Sequence, residues 1–378
     1  VGATYNNNNV GRRGHFFDLR LNSNFEYVTS STLASISESS GTPSGTLFRS
    51  LDATMTYTIP SLGRPLRFLK STLGMGSAFT RHTLSFTRAN QLYFDINSNI
   101  RYATQIDIQL NDVDRHIIDI IDLSLIDTNP SDAFRENVEL QFPDDPVQVL
   151  RILEDFRPQI SSAVRYTFRR NRTDLIKRNQ GVYYEYSVSM GGTLPYLLDR
   201  LIITPSTLER SLPPILALSD NRLEYSQFVK VTLDRRRYIP LGSSTVFATR
   251  FFGGFAQPFT YDQIIPLNQR FFAGGSNDIR GWEPFRLGPG ATPQNEVTRP
   301  GGDIKLAAFM EVRRTVVESS GSGDIQLAWF VDSGNIWYSP QRELKGADNQ
   351  NILDKGVFSF YAIPKQMAVS SGLGLRFD

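Results

Sequence analysis

Arg280 stands in "GGSNDIRGWEPFRLGPG", residues 274–290, between Ile279 and the pair Gly281-Trp282. Glycine and proline keep such a stretch out of regular helix or strand, so it reads as a loop. What a guanidinium offers there is bidentate, charge-assisted hydrogen bonding to carboxylates. Two acidic residues downstream are suited to receive it. In "IKLAAFMEV" (304–312) period two sets Glu311 with Lys305, Ala307 and Phe309, opposite Ile304, Leu306, Met310 and Val312. In "IQLAWFVDS" (325–333) Asp332 falls with Gln326, Ala328 and Phe330, opposite Ile325, Leu327, Trp329 and Val331. If the apolar faces meet lipid, both carboxylates point into a lumen, and an in-folding loop would bring Arg280 to them. That is anchoring chemistry, without bond making or breaking. The plainer alternative leaves Arg280 as a solvated loop residue.

Other chemistries find little support. Cysteine is absent, which removes disulfides, thiolate nucleophiles and Cys-ligated zinc. His15, His82 and His116 lie far apart and read as polar strand or turn residues, so no metal ligand set is expected. Neither a G-x-S-x-G elbow nor a Walker loop occurs. The carboxylate pairs Asp119/Asp122 and Asp144/Asp145 are expected to be solvated surface. A net charge of +2 gives no field for nucleic acid. No enzyme, cofactor or nucleic-acid partner is expected.

The elements that must position Arg280 and its carboxylates are strands. Alternation recurs in "FFDLRLNSNFEY" (16–27), "LDATMTYTI" (51–59), "QIDIQL" (105–110), "YYEYSVSM" (183–190), "FVKVTLD" (228–234) and "SSGLGLRF" (370–377). Many segments reach the ~9–11 residues a transmembrane β-strand needs, beyond the ~5–6 typical of a soluble sandwich. Full charges on the polar faces suit a wet lumen. The fold expected is all-β, a transmembrane antiparallel β-barrel of about thirteen strands in one domain, residues 1–378. Short connections (7–14, 111–115, 235–242) should alternate with long ones (30–45, 129–160, 193–222, 255–303), the pattern of outer-membrane barrels. Within 129–160, Asp145 as N-cap and Pro146 at the first helical position predict one short helix.

On these residues the chain resembles the outer-membrane insertase superfamily, which includes BamA, the TamA and TamL proteins and two-partner-secretion translocators. The resemblance is carried by an aromatic pair (Phe271, Phe272), then Gly274, Gly275, Ile279, Arg280, Gly281 and Trp282, closed by Leu287-Gly288-Pro289. A second motif stands as Phe330, Asp332, Gly334 and Trp337, and "FMEVRR" (309–314) between them carries Glu311 at the usual acidic position. "NNNNVGRRG" (6–14) resembles the turn after the second barrel strand and "SSGLGLRFD" (370–378) the fourteenth strand.

The resemblance implies a sixteen-stranded barrel whose sixth extracellular loop folds into the lumen, its Arg held by acidic residues of the twelfth and thirteenth strands. This chain would supply about strands two to fourteen, with the periplasmic N-terminal domains and the last strands outside it. The implied function is insertion of unfolded β-barrel clients into the outer membrane of a Gram-negative cell, by templating at a lateral seam. Partners implied are those clients, the bilayer with its lipopolysaccharide, and accessory outer-membrane lipoproteins or a periplasmic or inner-membrane protein. The alternatives are polypeptide translocation through the lumen and, from another class, a passive channel or anchor barrel. The Asn-rich first turn and long loops are closest in style to the TamL and BamA proteins of the Bacteroidota.

Overall fold

In the computed structural model, which describes residues 1–28, 46–62, 77–90, 94–173, 180–198, 215–218, 221–259, 265–293, 300–317, 324–340 and 354–377, alternating residues fold into one antiparallel sheet. Its neighbouring strands are β1 (Gly2–Val10), β2 (His15–Val28), β3 (Thr46–Ile59), β4 (Ser77–Asn90), β5 (Phe94–Gln109), β6 (Asp114–Pro130), β7 (Gln159–Thr173) and β8 (Gly181–Gly191). A short hairpin, β9 (Ile215–Leu218) with β10 (Asn221–Glu224), stands off this path, and β8 pairs directly with β11 (Phe228–Pro240). The path ends with β12 (Thr245–Pro258), β13 (Ile304–Val317), β14 (Ile325–Trp337) and β15 (Ala368–Phe377). The described path thus holds thirteen strands, mostly long enough to cross a bilayer. No described helix is long and apolar enough to cross one.

The two faces separate as the barrel requires. Leu84, Tyr102, Met310, Leu327 and Trp329 are exposed on the outside, where a hydrocarbon layer would cover them. The inside is polar and ion-paired: Arg101 bonds Asp122, Arg169 bonds Glu185, and Arg236 and Arg250 share Asp234. Asp119 and Asp122, expected as solvated surface, are buried in this lumenal wall. A register shift between them turns both carboxylates inward, within 3.6 Å and 3.7 Å of Arg165. Extra residues in one strand reset its side-chain parity, so two carboxylates three apart share a face. Asp144 and Asp145 lie at the start of a helix instead, Asp145 as its cap.

Connections at one rim are mostly short (11–14, 110–113, 174–180, 241–244, 318–324), whereas the opposite rim carries 131–158, 192–227, 259–303 and 338–367. Two depart from the rule: 60–76 is long on the short-turn rim, and 91–93 is short on the other. The expected loop 30–45 lies outside the described residues. Two expected turns are shorter than 7–14 and 235–242, because β1 runs to Val10 and β11 to Pro240. Arg235 and Arg236 continue the strand by laying their guanidiniums over Tyr184 and Tyr183.

The long connection after β6 folds into a cap of two helices, where one was expected. α1 (Asp132–Gln141) starts at Ser131, whose side chain accepts the Phe134 N–H; α2 (Pro146–Leu153) starts at Asp145, which accepts from Gln148 N–H. Phe134 and Val138 of α1, Ile152 of α2 and Phe156 form a core that also takes in Leu267 and Tyr338 from later loops. The cap is therefore packed onto the connection 259–303.

Candidate functional site

The connection 259–303 turns down into the lumen and is held there at its tip. Gly274 starts the descent with φ +103, a conformation L side chains avoid, and any Cβ at that position would meet Glu283 O at 2.1 Å. The Gly275 N–H then donates to Trp282 O and the Trp282 N–H to Ile279 O, closing a compact turn around residues 275–282. Asp278 braces it from within, accepting from Gly274 N–H at 3.0 Å and from Lys305 Nζ at 2.8 Å. Lys305 also donates to Phe272 O, so strand β13 grips both limbs of the turn.

Ile279 is fully buried in a cluster with Phe228, Phe271, Leu287, Ala307 and Ile336, against which Trp282 packs. That seat fixes the next residue. Arg280 Nε and Nη2 donate to the two oxygens of Asp332 at 2.6 and 2.7 Å, and the Arg280 backbone N–H reaches the same carboxylate at 3.2 Å. Nη1 donates to Glu311 Oε2 at 2.6 Å. The Asp332 side chain is 0% exposed, that of Glu311 12% and that of Arg280 24%. The structure thus brings Arg280, Glu311 and Asp332 together from a loop and two adjacent strands.

Two more residues complete the site: Phe330, which period two sets on the Asp332 face, and Arg313 of the same FMEVRR strand as Glu311. Phe330, on the lumenal face of β14 two residues before Asp332, lies under the guanidinium with Arg280 Cζ 3.5 Å from its ring centre. Arg313, two residues after Glu311, donates to its other oxygen at 2.6 Å, so Glu311 is held between two cations. Burial alone would lower the Arg280 pKa, but hydrogen bonds and charge from Asp332 and Glu311 outweigh it and hold the group above its usual value. Arg280 is a permanent cation here.

The remaining motif residues shape the seat. Gly281 passes so close to β15 that a Cβ there would stand 2.4 Å from Ser370 Cβ. Trp337 is fully buried, its indole N–H bonded to Gln366 Oε1 at 2.7 Å and its ring edge-on to Phe358. Phe285 packs edge-on against Phe272. Among the described residues no group of three or more His, Cys, Asp or Glu is arranged to hold a metal. What the arrangement can do is mechanical: it fixes a long loop inside a barrel through charge-assisted bonds.

Residues 216–378 match the Omp85 superfamily domain. Among solved structures the chain is similar to BamA from Haemophilus ducreyi lacking POTRA domains 1-3, at 14% identity and TM-score 0.57, covering 100% of this chain and 63% of that one. CdiB from Escherichia coli aligns at 8% identity and TM-score 0.48, over 100% of this chain and 53% of that one. The likeness to BamA is one of fold, and the chain spans less than two thirds of that protein's length.

Proposed function

Because residues 216–378 match the Omp85 superfamily domain and the fold is that of an outer-membrane β-barrel, we propose that the chain is an integral outer-membrane barrel that folds and inserts other β-barrel proteins into the bacterial outer membrane. The observation that carries this reading is the occupied lumen. The loop anchored through Arg280 and the cap of α1 and α2 packed on it fill the barrel at its long-loop rim, the rim that faces outward in such proteins. A lumen so filled favours a route through the wall over one along the axis. Residues 1–378 act in this reading as one transmembrane barrel domain.

The work asked of the protein is non-covalent. An incoming client strand pairs by main-chain hydrogen bonds with a strand edge opened in the wall, and local bilayer thinning beside it lowers the insertion barrier. Ile279, Arg280, Gly281, Trp282, Glu311 and Asp332 keep the loop in place during that opening, with Gly274, Gly275, Phe330, Gly334 and Trp337 shaping the seat. Partners are unfolded β-barrel clients, the lipid and lipopolysaccharide around the barrel, and accessory lipoproteins or periplasmic or inner-membrane proteins. TamA-like or TamL-like service belongs to the same reading.

The test is reconstitution of the full-length protein in liposomes, followed by addition of a urea-unfolded client barrel. The expected result is faster acquisition of a protease-resistant, heat-modifiable client than in empty liposomes. Equal rates in both would reject the insertion activity.

A further inference from the structure

The in-folded connection has a second buried anchor, separate from Arg280. Arg270 and Asp155 form an ion pair at 2.8 Å with side chains 1% and 0% exposed. Asp155 belongs to the single 3₁₀ turn Glu154–Phe156 that ends the cap after α2. Arg270 spreads its donors: Nη1 reaches Asp155 Oδ2 and Pro300 O, while Nε reaches Ile265 O. One guanidinium therefore ties the cap to both ends of the in-folding connection. Burial works against its charge, but the field and hydrogen bond of Asp155 hold it protonated.

The residues just before Arg270 make a roof. The turn Leu267–Gln269 puts Asn268 and Gln269 over a polar lumenal chamber of about 490 Å³, lined below by Arg101, Asp119, Arg165 and Ser187. Leu267 is sunk in the cap core. From the wall, Lys230 Nζ donates to Gln269 O at 2.6 Å and stands 4.5 Å from the centre of the Phe271 ring. Cap, roof and wall thus meet at one point, and its only fully buried charge pair is Arg270 with Asp155 among the ion pairs described.

We propose that Arg270 and Asp155 are a latch that holds the cap and the roof together as one lid, closing the lumen on the outer side. Both are positioning residues for the connection. Opening the lid separates them, and the tip at Arg280 stays anchored while it does. The latch rests on the outer-membrane barrel and not on the insertion activity, so its test reads lumen access alone.

Residues 1–378 hold no cysteine, so Ser187→Cys adds one thiol at the chamber, and its labelling is scored as the difference from the parent protein. Intact cells carrying the full-length protein receive a maleimide too bulky for porins. Labelling should be slow in S187C and at least about tenfold faster when Asp155→Asn is added, because an unpaired buried guanidinium destabilises the closed lid. Should D155N fail to fold by heat-modified mobility, Arg270→Lys keeps the charge but not the fork, and should also accelerate labelling. Equal rates in folded S187C and either folded variant overturn the latch. The pair Asp155→Asn with Arg270→Met separates latching from stability. Removing both charges should return thermal stability towards that of S187C while labelling stays fast. If slow labelling returns together with stability, the pair serves folding alone and the proposal is wrong.

Discussion

Ile279 is seated directly on Gly334, where an added Cβ would lie 2.8 Å from Ile279 Cδ1, 2.8 Å from Leu306 O and 3.1 Å from Ala307 Cβ. The loop tip therefore reads the absence of a side chain on β14. Gly334→Val should lift Ile279 and cost about 1–3 kcal/mol by overpacking. The denaturation midpoint of the folded barrel in detergent measures this. An unchanged midpoint would mean that the tip has room this geometry denies it.

Asp332 and Glu311 should respond unequally to neutralisation. Asp332 takes three bonds from Arg280 and is fully buried, whereas Glu311 takes one and is shared with Arg313. Asp332→Asn should cost about 3–5 kcal/mol, the usual result of breaking a buried pair on one side. Glu311→Gln should cost about 1–3 kcal/mol, as for a hydrogen bond to a charged group. The same denaturation series ranks them, and a larger loss for E311Q would contradict the geometry.

Arg280→Ala should leave the barrel folded, with loss of client insertion and easier protease cleavage within 274–290. Arg280→Lys should rescue little, because an ammonium cannot fork to both Asp332 oxygens and reach Glu311 as well. Exchange of the charges, Arg280→Asp with Asp332→Arg, should recover part of the loss, limited by Glu311 left facing a new carboxylate. Full insertion activity in R280A would disconnect the anchor from function.

Phe330→Leu keeps an apolar residue under Arg280 but removes the ring face. The expected cost is about 0.5–2 kcal/mol. A double-mutant cycle with R280A should show coupling between the two, and strict additivity would argue that the ring serves packing only.

The parts of the molecule that were legible in the sequence are those governed by strict periods. Glu311 and Asp332 fall on the lumenal face because β13 and β14 alternate without interruption around them. The buried Asp119 and Asp122 were misread because the register shift of β6 breaks the alternation between them. α1 escaped notice since its apolar residues Phe134 and Val138 are set among Arg135, Glu136 and Glu139, whereas α2 announced itself through Asp145-Pro146. Arg270 and Asp155 lie 115 residues apart in irregular segments, where no period relates one position to another. Contacts of that kind are created by tertiary packing alone.

The connection 259–303 is tied to the wall along an arc whose two ends are far apart. Its tip is fixed to β13 and β14, and through Arg270 it is tied to the cap, which springs from β6 and β7 and whose Phe156 O accepts from Thr128 of β6. Between these footings in the sheet lie β8, β11 and β12, and Lys230 of β11 adds an intermediate tie to Gln269 O. The connection is thus a strut spanning an arc of a cylinder, and a strut of fixed length prevents that arc from flattening. Any change in the barrel's cross-section must then be taken up by the unbraced remainder, β1 to β5 and β15. The stiff sector and the compliant sector of the wall are set by where one loop is pinned.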